Sequence, residues 1–137
     1  MPINCELRES GHVVYIVASD PWTAAELRAA YRIETPFFDA VGHRVHTLAN
    51  LAETHHVPAG VLGARSGSPH VFHPNRGEIA IVGASSLLRA LLETAVRVVR
   101  FQGLHFFDTE DEAWDYLRAV IARERSQHAV GDVLLAQ

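Results

Sequence analysis

The sequence predicts an α/β protein: a mixed sheet of about five strands, mostly parallel after an initial hairpin, with helices packed against it. Three observations carry this. Apolar runs at residues 79–82 and 104–107 are each followed by an amphipathic pattern of helical length, and strands alternating with helices imply βαβ units with parallel neighbours. The chain opens instead with two strand-like runs separated only by a turn around Ser10-Gly11, too short for a crossover, so these two pair antiparallel. With 137 residues, 48% hydrophobic and 20% charged, the chain buries roughly two-thirds of its unfolded surface around one core.

Taken in order, residues 3–8 alternate apolar and polar side chains, and residues 12–18 are rich in β-branched residues, the two patterns of a half-buried and a more buried strand. Thr23 precedes Glu26 by three residues, the spacing of a capping box. The helix that follows is expected to bury Leu27, Ala30, Ile33, Phe37 and Val41, with a kink or break before Pro36 and a left-handed close at Gly42. Residues 44–51 form the third strand, with Val45, Thr47 and Ala49 on one face and His46, Leu48 and Asn50 on the other. Pro58 opens a short helix to about Ala64, and loop signals follow to Asn75. After the strand at 79–82, Ser85 or Ser86 caps a helix that turns Leu87, Leu88, Leu91, Leu92, Ala95 and Val99 inward and Arg89, Glu93 and Arg97 outward. Thr109 and Glu112 repeat the capping box after the strand at 104–107, and the last helix buries Ala113, Leu117, Val120 and Ile121 up to a polar break at Ser126. Ile81, Leu91 and Leu117 are the expected centre of the core. Residues 1–125 thus make one domain and residues 126–137 a C-terminal tail.

Charge and composition narrow the function classes. The net charge is −4 and the charges alternate in sign, so the basic stripe of a nucleic-acid binder is missing. Cys5 is the only cysteine and forms no internal disulfide. No apolar stretch approaches the ~20 residues of a membrane span, and the first residues do not read as a signal peptide. The reading is a cytoplasmic protein.

The order of elements, together with HTLANL (46–51), IAIVGASSLLRAL (79–91) and HFFDTEDEAWDYL (105–117), resembles the SpoIIAA-like family, of the STAS fold and related by fold to CRAL-TRIO lipid-transfer domains. The likeness covers nearly the whole chain. It implies a non-catalytic module that docks to a protein partner or to itself as a homodimer, without a cofactor. In STAS regulators the third strand leads to an Asp-containing segment and a phosphorylatable Ser. Here Asn50 stands at the strand end, no Ser occurs between Asn50 and Gly60, and Thr54 is the one hydroxyl. The resemblance therefore carries no phosphorylation switch to this turn.

Nine histidines are the compositional anomaly, with His55, His56, His70 and His73 in the middle segment. Imidazole is a metal ligand, but no carboxylate pattern or HExxH helix accompanies them, so they read as loop histidines and no metal site is expected. Gly83-Ala84-Ser85-Ser86 joins a strand to a helix, where anions are attracted. It lacks GxGxxG, Walker and GxSxG settings, so Ser85 reads as a cap and no catalytic residue is assigned. Glu110, Asp111 and Glu112 read as favourable charges at a helix start, and Trp22, Phe37, Phe38 and Trp114 as core or interface residues. Ligands of open α/β sheets sit at the carboxyl ends of the strands. The expected recognition surface is therefore Asn50, Thr54, His55, His56 and Ser85. The alternative function is a carrier holding a small apolar or acyl ligand beneath the first helix.

Overall fold

The computed structural model describes residues 3–55, 75–98 and 100–135. Its elements run β1 (Ile3–Arg8), β2 (Val13–Ser19), α1 (Ala24–Asp39), β3 (Val45–Glu53), β4 (Arg76–Val82), α2 (Ser86–Val98), β5 (Leu104–Phe107) and α3 (Glu110–Leu135). The strands form one sheet in the order β1-β2-β3-β4-β5. β1 and β2 pair antiparallel, from Ile3 opposite Ala18 to Arg8 opposite Val13, and every later pairing is parallel. The α/β architecture, the hairpin and the mostly parallel sheet are those the sequence predicts.

Side chains alternate across each strand, and this divides the core in two. Val14, Ile16, Val45, Ala49, Ile79 and Ile81 pack with Trp22, Ala30 and Phe38 on the α1 face. On the other face Val13, Leu48, Ala80 and Val82 meet Ala113, Trp114, Leu117 and Ile121, all from α3. The molecule is thus three layers deep, with the sheet in the middle and both sheet faces covered, as parallel strands require.

Several expectations about the helices are corrected. In α1, Ile33 is 48% exposed, while Ala30 and Phe38 are buried. Apolar residues occur nearly all round this helix, so periodicity permits more than one stripe, and packing selects the one ending at Phe38. α1 runs through Pro36 without a break, because the Pro36 carbonyl still accepts the Ala40 N–H at 3.0 Å and burial of Phe38 holds the last turn. Gly42 does not close it in the left-handed region. The Asn75 carboxamide does the capping instead, donating to the carbonyls of Phe38 and Val41 at 2.9 Å each.

In α2, Leu88 is buried, Leu91 and Leu92 are half-buried, and Leu87 is 64% exposed. Neighbouring leucines lie about 100° apart on a helix and do not both face inward. α3 continues past Ser126 to Leu135, without the expected break. Ser, Gln and His cost a helix only tenths of a kcal/mol or so, and no proline interrupts the run. The short helix at 58–64, and His56, His70, His73 and the core assignments of Leu27, Phe37 and Val99, lie outside what the structure describes.

Candidate functional site

The middle of β2, the carboxyl end of β3 and the first turn of α3 meet around one carboxylate. Thr109 caps α3, accepting the Glu112 N–H at 3.3 Å, and its hydroxyl donates to Glu112 Oε1 at 3.0 Å. This places Glu110 over the sheet. Its Oε2 accepts from the Tyr15 hydroxyl at 2.5 Å and from Asn50 Nδ2 at 2.6 Å, and its Oε1 from Trp114 Nε1 at 3.3 Å. Burial opposes ionisation of Glu110, but these three donors outweigh it and hold the carboxyl below the ordinary glutamate range. Burial, and then the same contact, push the Tyr15 hydroxyl up to about 12. Tyr15 stacks on Trp114 with ring centroids 5.8 Å apart, and the Arg8 guanidinium lies 4.1 Å from the Tyr15 ring centre.

Asn50 is held at both ends of its amide here, since its Oδ1 also accepts the Ala52 N–H at 3.0 Å. Thr54 belongs to a second cluster, on the α1 face. It is 2% exposed, donates to the Ala18 carbonyl at 2.9 Å and accepts from Trp22 Nε1 at 3.1 Å. His55 is exposed, and its backbone N–H donates to Asp20 Oδ2 at 2.6 Å. Ser85 caps α2, accepting the Leu88 N–H at 3.2 Å, as expected. Two residues earlier, Gly83 has φ +73, and a Cβ there would stand 2.8 Å from the Ala52 Cβ, so the turn carrying Ser85 abuts the end of β3. The structure thus gathers Asn50, Thr54, His55 and Ser85 along one edge, but in separate hydrogen-bonded clusters. Tyr15, Glu110 and Trp114 were missed as site residues. Glu110 is legible only as a helix-start acid, because its partners are remote in sequence.

The opposite, amino-terminal edge of the sheet holds another polar centre. His46 is fully buried. Its Nδ1 accepts the Glu78 N–H at 2.8 Å and its Nε2 lies 2.8 Å from Glu124 Oε1. With Nδ1 an acceptor, the proton of the neutral ring sits on Nε2, close to the carboxylate but out of line for a hydrogen bond, so both buried atoms lack a hydrogen-bond partner among the described residues. Burial, then Arg44, His12 and His43, lower the imidazole to about 4. Burial pushes Glu124 up, against the pull of Arg44. Among the described residues, no group of three His, Cys, Asp or Glu could hold a metal ion, and no helix is long and apolar enough to cross a membrane. A groove of about 860 Å³ runs between α2 and β5, with Arg97, Arg100, Phe101, Phe106 and Tyr116 in its lining.

These features define an α/β protein with an antiparallel hairpin leading into a parallel sheet. No protein-family model matches the sequence, and no curated protein matches it. Among solved structures it is similar to the protein TM1081, determined by NMR, with a TM-score of 0.58 and 15% identity over 83% of this chain and 86% of that chain. The likeness is one of fold.

Proposed function

We propose that this protein is a non-catalytic, cytoplasmic interaction module of SpoIIAA-like type, which docks through the carboxyl edge of its sheet. The observation that carries this is how the polar groups at that edge are used. The Thr54 hydroxyl both donates and accepts inside the fold, Ser85 caps α2, and the Glu110 carboxylate is held by three donors. Groups tied up in this way build a rigid surface for recognition; a nucleophile instead needs a base within reach. The observed order of hairpin, helix, strand, strand, helix, strand and helix supports the family resemblance.

A second reading, a carrier of a small apolar or acyl ligand, is favoured by the groove between α2 and β5, which lies at the β5 edge and not beneath the first helix. Native mass spectrometry of freshly purified protein separates the two. The module predicts whole multiples of 15.1 kDa with no added mass. A persistent adduct of lipid size would overturn it in favour of the carrier.

A further inference from the structure

We infer that β5 is the interface of a twofold-symmetric dimer, in which a second copy of this chain adds its own β5 antiparallel and continues the sheet. β5 is an edge strand. The Ile79 N–H donates to the Gly103 carbonyl at 2.7 Å and the Gly83 N–H to the Phe107 carbonyl at 3.3 Å. The alternation of a parallel ladder then turns the N–H and C=O of Leu104 and Phe106 out of the sheet, where β4 does not reach them.

The two edges of the sheet differ in protection. β1 reads INCELR, with Glu6 and Arg8 paired to each other on it, and charges of this kind deter strand addition. β5 reads LHFF and has no charged residue, lysine or proline to deter a partner.

Charge selects the partner and its direction. Before β5, Arg97 and Arg100 are exposed and line the groove, and neither has an ion-pair partner among the described residues. After β5, Asp108 and Glu112 are exposed. Arg89, over the Phe106 ring, and Glu93 also line the groove but are paired to each other, so the remaining charge is basic at the amino end of the strand and acidic at its carboxyl end. Antiparallel pairing of two copies sets base against acid at both ends, and a parallel arrangement would set like against like. Such a contact is self-complementary and closed, so it ends at two chains. The groove beside Phe101 and Phe106 is then filled by the second copy instead of by a small ligand.

Light scattering on the full chain tests this, with exposed residues altered so that folding is preserved. The wild type is expected at twice 15.1 kDa. Arg97→Glu with Arg100→Glu is expected to raise the dimer dissociation constant at least ~10-fold, and adding Asp108→Arg is expected to recover part of that loss. Leu104→Pro removes an outward N–H and is expected to give a monomer; circular dichroism shows whether it has folded, and if it has not, the charge variants decide. A wild type that stays monomeric at about 100 μM, or a dimer indifferent to the charge reversals, overturns the proposal. Failure of Asp108→Arg to recover affinity overturns the antiparallel arrangement.

Discussion

The Tyr15 hydroxyl, from the middle of β2, donates to Glu110 Oε2 in the first turn of α3 at 2.5 Å, across 95 residues of sequence. One carboxylate thereby ties the hairpin, through Tyr15, and β3, through Asn50, to the last helix. Glu110→Ala leaves these donors without their acceptor and is expected to cost roughly 1–3 kcal/mol, and Tyr15→Phe about 1 kcal/mol. Because both changes break one contact, the double variant is expected to cost less than the sum of the two. Strict additivity in urea melts would show that the contact contributes nothing. The lowered carboxyl also fixes a sign: stability from ionised Glu110 is complete above the ordinary glutamate range and is lost as pH falls through its lower folded value.

His46 gives a pH dependence in a higher window. Its folded value of about 4 lies below the ordinary imidazole value of 6.5, so the unfolded chain binds the proton first. Stability is therefore expected to fall as pH drops from 6.5 towards 4, by at most roughly 3 kcal/mol. His46→Gln should lower stability at neutral pH, through the Glu78 N–H that it leaves without the imidazole acceptor, yet flatten this slope. Parallel curves for the two proteins from pH 6.5 to 5 would contradict the assignment.

Two glycines are fixed by what they touch. A Cβ on Gly77 would stand 2.6 Å from Cε1 of the buried His46 ring, and one on Gly83, at φ +73, would meet the Ala52 backbone at 2.9 Å. Alanine at either is expected to destabilise the fold by about 2 kcal/mol or more. Gly42 has open space around it, so Gly42→Ala is the control and should change the thermal midpoint little. Equal shifts at all three positions would refute the close approaches.

The helix registers make a separate prediction. Leu117 is fully buried and Leu87 is 64% exposed. Leu117→Ala is expected to cost roughly 2–5 kcal/mol, and Leu87→Ala to stay within about 0.5 kcal/mol. Comparable urea midpoints for the two variants would mean that the faces of α2 and α3 are misassigned.

These cases show what the sequence makes legible. Apolar runs such as LHFF, and capping boxes at Thr23 and Thr109, are local signals, and they place strands and helix starts correctly. The buried stripe of α1 is not local: Ile33 and Phe38 are equally apolar, and only the sheet beneath decides between them. The capping of α1 by Asn75 and the contacts of Glu110 depend on residues brought together by the fold, and no spacing in the chain announces them. Of the expected surface, Ser85 was legible as a cap, while Thr54 looked available in sequence and is consumed by Trp22 and Ala18 in the structure.

The central claim is recognition at the carboxyl edge of the sheet. It is tested most directly by quantitative capture from lysate, comparing the wild type with His55→Ala/His56→Ala and with His43→Ala at the amino edge. The account predicts that the double variant keeps its thermal midpoint but loses the proteins enriched by the wild type, and that His43→Ala retains them. Unchanged capture by the double variant, with loss in His43→Ala, would contradict it and move the functional surface to the other end of the sheet.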